Sequence, residues 1–266
     1  MPQIQNTMEI FKLLDKSNCR QCAEATCLAF AAAVFQGKRQ LSECPRLEPD
    51  ITSHYSDGAC PPRTMDQDAE DALRQMQGEI AGVDLAEAAE RLGGRFANDK
   101  LTLRILGKEF SVDSKGQFTT DIHVHGWIAG PVLAYILAGR GKTPSGNWVP
   151  LRELEGGRDW HRFFSQRCEK PLKAVADTYT ELFEDMVDLF NGKVVGQHFD
   201  ADIAVVLHPL PRLPLLVCYW KPDEGMPSDL HLFFDDTAEA NLAIEAIYTL
   251  GAGMALMFEK IAQRHG

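Results

Sequence analysis

The stretch Asn18-Cys19-Arg20-Gln21-Cys22-Ala23-Glu24-Ala25-Thr26-Cys27, joined after sixteen intervening residues by Cys44-Pro45, decides how this chain is read. Four thiolates are the usual ligand set of a [4Fe–4S] cube, and each must reach one corner. Three closely spaced cysteines let a single loop wrap three corners. A distant fourth closes the cage from another segment. Pro45 has no amide hydrogen and a fixed φ, which suits a chain turning away from its last ligand. Cys27 opens an expected helix, where the positive end of the dipole favours its thiolate form. Zinc is the alternative guest of four thiolates. It usually takes two Cys-x2-Cys pairs, which the x4 step before Cys27 fits poorly. A redox Cys-x-x-Cys would leave Cys27 and Cys44 without a role. Cys60, which also precedes a proline, is the alternative fourth ligand to Cys44.

Short helices are expected on either side of this loop. Thr7 can cap one over 8–15, and Thr26 another over 27–36, which Gly37 ends. Five of the seven cysteines fall in the first 60 residues, and a reducing compartment reads such a cluster as metal-binding or catalytic. The Gly- and Pro-rich run from Ser56 to Arg63 reads as a linker. The expected domains are therefore 1–62, small and helical, and 68–266, larger and mixed. Charge divides the same way. Residues 1–67 carry 7 basic and 8 acidic side chains, and residues 68–266 carry 20 and 30, giving the net −11 of the chain.

A length of 266 residues with 45% hydrophobic and 24% charged residues is ordinary globular usage, which excludes disordered, collagenous and disulfide-scaffold classes. No stretch reaches the roughly 18 uncharged apolar residues of a membrane span, and the N-terminus lacks a signal-peptide pattern. The expectation is a cytoplasmic protein. Its acidity makes nucleic acid an unfavourable partner.

In the second part, Ala69 to Leu92 is expected to be helical. Leu101–Ile105 and Glu109–Val112 flank a hairpin turn at Leu106-Gly107-Lys108. Further helices are expected over 127–137 and 242–261. The strongest apolar stripe, from Leu172 to Phe190, predicts one long helix. Strands are expected over 203–207, 215–220 and 230–234, and Asp236 with Glu239 has capping-box spacing. This order of elements predicts an α+β fold.

The pattern Leu14-x3-Asn18-Cys19-x2-Cys22-x3-Thr26-Cys27-x2-Phe30-Ala31, with Gly37 and Cys44-Pro45, resembles a known four-cysteine [4Fe–4S] domain. That domain occurs in the corrinoid iron–sulfur protein large subunit and the Rnf complex B subunit. The resemblance implies Cys19, Cys22, Cys27 and Cys44 as ligands of one [4Fe–4S] cluster. It also implies one-electron transfer with an unidentified redox protein partner. Arg20 and Ala23 depart from it, because glycine usually follows each of the first two cysteines. A structural or sensory cluster is the second reading, and a corrinoid-linked reductive activator or an enzyme of the larger domain the third. The motifs around Trp148-Val149-Pro150, Leu210-Pro211-Arg212 and Phe233-Phe234-Asp235 resemble a domain family of unknown function that follows this cluster domain in anaerobic bacteria. It implies no reaction.

Other chemistry-bearing residues have mostly bland readings. Asp121-x-His123-x-x-Gly126 fits part of a cobalamin-ligand signature, but its downstream Ser-x-Leu is missing. His123 and His125 permit a two-histidine metal site without a third ligand in sequence. His208 reads as a strand-end residue, and Cys168 and Cys218 as buried thiols. Asp235 and Asp236 follow an apolar strand, where active-site carboxylates and helix caps both occur. Five basic residues between 16 and 46 against Glu24 and Glu43 predict a positive surround for the cluster.

Overall fold

The computed structural model describes residues 6–48, 51, 65–179, 181–196, 198–223 and 225–265. The linker over 56–63 and Cys60 lie outside them. The chain divides into two compact units, Met1–Ala69 and Glu70–Gly266, and the architecture is α+β.

The first unit is built on helices Thr7–Leu13 and Cys27–Phe35. Asn6, rather than Thr7, caps the first, because its Oδ1 accepts the Glu9 amide at 3.1 Å. Thr26 caps the second as expected, its Oγ1 accepting from the Ala29 amide at 3.0 Å. Gly37, at φ +70°, ends that helix. A 3-10 turn at Leu41–Glu43 leads into Cys44. Ile10, Leu14, Phe30, Ala31, Val34, Leu41 and Leu47 form a small core that also includes Cys27 and Cys44.

The second unit has two antiparallel sheets. Strands β1 (Arg95–Ala97), β2 (Lys100–Ile105), β3 (Lys108–Asp113) and β4 (Phe118–Thr120) form a meander. The expected hairpin is present. Leu106 and Gly107 both take positive φ, +46° and +79°, so the turn twists with its strands. Strands β5 (Trp148–Pro150), β6 (Lys193–Val194), β7 (Ile203–Leu210), β8 (Leu213–Trp220) and β9 (Asp229–Asp235) form the second sheet, in the order β5-β9-β8-β7-β6. Helices Gly126–Ala138, Gly157–Phe164, Lys170–Thr178 and Ile244–His265 pack around one large core.

Two expected helices are broken. The run from Ala69 to Leu92 divides into Met65–Glu79, a 3-10 turn at Ile80–Gly82 and Leu85–Leu92. Gly78 and Gly82 weaken the join, and Asp84 starts the new helix by accepting the Ala86 and Glu87 amides. The long stripe from Leu172 divides into Lys170–Thr178 and Leu182–Asp188. Thr178 Oγ1 donates back to the Ala174 carbonyl at 2.9 Å, and Tyr179 turns extended so that its hydroxyl reaches Asp185 at 2.8 Å. The apolar stripe survives the break because both pieces face the same core.

Asp235, not Asp236, is the structural carboxylate at the end of β9. It is fully buried. Its oxygens accept from the amides of Ser145, Gly146 and Thr237 at 2.7–3.1 Å and from the Thr237 hydroxyl at 2.6 Å. Burial works to raise its pKa, but these hydrogen bonds outweigh it and hold the carboxyl below its ordinary value. A depressed folded pKa adds stability above the unfolded value of about 3.9 and loses it as pH falls through the folded one. Asp235→Ala, which orphans three amides, is expected to cost roughly 2–4 kcal/mol at pH 7. Urea unfolding at pH 7 and pH 3 should show the variant losing less on acidification than the unsubstituted chain.

Candidate metal centre

The loop between the first two helices is bent by four non-glycine residues in the left-handed region: Lys16, Asn18, Arg20 and Ala23, at φ of +60°, +51°, +61° and +62°. These turns bring Cys19 and Cys22 to the loop before Cys27 enters the helix. Asn18 tolerates this conformation best, and it ties the loop to the helix. Its Oδ1 accepts the Cys27 amide at 2.7 Å, and its own amide donates to Cys27 Sγ at 3.3 Å. Arg20 and Ala23 follow Cys19 and Cys22, the two positions at which this chain departs from the glycines of the domain it resembles. Glycine there removes the side-chain strain of roughly 1–2 kcal/mol while loosening the unfolded chain. Arg20→Gly and Ala23→Gly are each expected to stabilise the first unit by about 0.5–1 kcal/mol, measured by hydrogen exchange over helix Cys27–Phe35.

Cys27 and Cys44 are buried, whereas Cys19 and Cys22 are half-buried. All four thiols are free. Burial pushes the Cys44 thiol up, and nearby Cys22, Asp15 and Cys19 push it further, against the Arg46 amide. Cys22, Asp15 and Cys19 therefore lie within electrostatic reach of Cys44. Asp15 is held below its ordinary value first by the Ser17 amide, then by the Ser17 hydroxyl and Arg46.

Three ion pairs brace the segments that carry the cysteines. Arg46 Nη1 lies 3.3 Å from Asp15 Oδ2, and Arg39 bridges Glu24 at 3.6 Å and Glu43 at 2.8 Å. The expected positive surround is thus partly neutralised. Arg39 and Arg46 have carboxylate partners, and Lys16 lies over the Phe11 ring. The roles of Asp15 and Asn18 were not foreseen. The sequence signal was an Asp and an Asn at turn positions just before the first cysteine.

Among the described residues, no group of three or more His, Cys, Asp or Glu side chains converges on the position of one metal ion. An iron–sulfur cube takes one thiolate at each of four separate corners. A donor set of four free thiols with no histidine among them, and an amide directed at Cys27 Sγ, fits a cluster.

The other sequence candidates lie in the second unit. His123 and His125 pack edge to face, with ring centres 4.2 Å apart, between β4 and helix Gly126–Ala138. The Asp121-x-His123-x-x-Gly126 pattern therefore follows an antiparallel strand. His208 is an exposed residue within β7, beside a register shift. Cys168 and Cys218 are fully buried, and burial raises both thiols, Cys218 to about 11.

Residues 84–257 match the family described as "Domain of unknown function (DUF3786)". The chain belongs to the DUF3786 family. In this DUF3786 protein, residues 14–46 also match the family described as "Putative Fe-S cluster", which makes it an iron–sulfur protein. The same region is 42% identical over 43 residues to the acetyl-CoA decarbonylase/synthase complex subunit gamma of Methanothermobacter thermautotrophicus, covering 16% of this chain and 9% of that one. It is 40% identical over 55 residues to the corrinoid/iron-sulfur protein large subunit of Moorella thermoacetica, covering 21% and 12%. The subunit gamma of Methanocaldococcus jannaschii is 38% identical over 47 residues, covering 18% and 10%. The chain thus spans about a tenth of the length of the curated relatives it matches. No solved structure matches it. Among the described residues, no helix is long and apolar enough to cross a membrane.

Proposed function

We propose that this DUF3786 protein holds one [4Fe–4S] cluster on Cys19, Cys22, Cys27 and Cys44 and uses it for one-electron transfer with a protein partner in the cytoplasm. Residues 1–62 act as the cluster domain, and residues 68–266 dock the partner. The observation that carries this reading is the Cys19-x2-Cys22-x4-Cys27-x16-Cys44 spacing on a single small core that buries Cys27 and Cys44. Two of the relatives' printed names are those of complex subunits, which supports a protein partner.

When bound, the cluster supplies a reversible one-electron site. The chain's own groups set its environment. The Asn18 amide and the helix N-terminus at Cys27 favour negative charge on sulfur, which tends to raise the reduction potential. Burial of Cys27 and Cys44 keeps water from one side. Half-buried Cys19 and Cys22 leave part of the loop within reach of a partner.

The test is a reductive titration of anaerobically purified protein followed by electron paramagnetic resonance. The reading expects a reversible one-electron couple within about −700 to +450 mV. A cluster that cannot be reduced and reoxidised in that range would make its role structural and contradict electron transfer.

A further inference from the structure

The second unit contains a cavity of about 440 Å³ that the iron–sulfur chemistry does not use. Its apolar wall comes from four distant segments: Leu106 in the β2–β3 turn, Trp127 at the start of its helix, Phe190, and Met257 and Ile261 of the last helix. Leu106 is buried and the other four are half-buried. Every ionisable group in the wall is basic: Lys108, His123, His125, Lys260 and Arg264. No Asp or Glu lines it. Lys108, Lys260 and Arg264 have no ion-pair partner among the described residues. Such a cluster is conspicuous in a segment with 30 acidic and 20 basic residues.

The last helix explains how one wall carries both characters. Leu256, Lys260 and Arg264 follow one another at steps of four on one stripe, beside Met257 and Ile261. Opposite them, helix Gly126–Ala138 begins with no side-chain cap and no acidic residue in its first turn. A Cβ at Gly126 would meet nothing within 4 Å, so the space over that turn is open. His125 lies in the field of His123 and Lys260. Cations gathered without counter-charges repel one another, and an anion relieves that repulsion. The apolar floor favours a ligand whose body leaves water.

We propose that this cavity binds a small amphipathic anion, with a carboxylate or phosphate head among Lys108, Lys260, Arg264 and the two histidines and an apolar tail against Trp127, Phe190 and Met257. This is independent of the cluster, because all the residues belong to the second unit.

The test is calorimetric titration of the full-length protein with octanoate and with octyl phosphate. Octanol, octylamine, acetate and inorganic phosphate serve as controls. Binding of at least one of the two amphipathic anions is expected, on the order of tenfold tighter than octanol or either small anion and weakened by salt. Whichever head binds more tightly identifies the source class. The double variant Lys260→Gln/Arg264→Gln, exposed at both positions, is expected to lose on the order of tenfold in anion affinity and leave octanol binding unchanged. The proposal is overturned if neither anion binds at millimolar concentration, or if octylamine or the small anions bind as well. Unchanged anion affinity in the double variant, with an unchanged circular dichroism spectrum, would overturn it equally.

Discussion

Cys44→Ser should leave anaerobically purified protein with on the order of a tenth of the iron held by the unsubstituted chain. Cys44 is buried in the small core beside Cys27 and is the most distant of the four thiols in sequence. Serine fills nearly the same space but is a far weaker donor, because its hydroxyl does not ionise near neutral pH. Removing it leaves three cysteines on one loop and nothing to close the cage. The Arg46–Asp15 pair, at 3.3 Å, still holds the segment in place, so the loss measures ligation and not misplacement. Cys60→Ser should retain most of its iron. Iron analysis of both variants checks the choice directly. Equal losses, or a larger loss from Cys60→Ser, would assign the fourth corner differently.

Phe30→Ala should unfold the first unit while sparing the second. Phe30 is fully buried, and among the described residues its core is small: Ile10, Leu14, Ala31, Val34, Leu41, Leu47 and the two buried cysteines, with Phe11, Leu13, Cys22, Phe35 and Ile51 packed against it. Truncating a buried Phe costs roughly 3–5 kcal/mol. A unit this small has about that much stability in total from its core alone. Metal binding supplies the rest, since ligation stabilises only the folded loop. The variant without metal should therefore lose amide protection across helix Cys27–Phe35, while β7, β8 and β9 stay protected. Hydrogen exchange read by mass spectrometry distinguishes this from a cooperative collapse, in which both units lose protection together.

The elements that the sequence showed clearly are those governed by local chemistry. Thr26 before an Ala-rich run is a cap wherever it occurs, and Leu106-Gly107 between alternating strands is a hairpin turn. The cysteine spacing is equally local, so the iron–sulfur family is legible in the sequence alone. Elements governed by distant partners were hidden. The break at Tyr179 depends on Asp185 and on the back-bonding of Thr178, against a periodicity that continues unbroken. The role of Asp235 depends on Ser145 and Gly146, about 90 residues earlier. Short β1, β4, β5 and β6 carry too few residues to alternate visibly. The basic cavity is assembled from four separated segments, and no one of them stands out for charge in sequence.

The ligation itself is tested most directly by measuring iron, acid-labile sulfide and zinc in protein purified without oxygen. About four iron and four sulfide per chain, with negligible zinc, is the result expected from four cysteines around one cube. About one zinc per chain with no sulfide would contradict it.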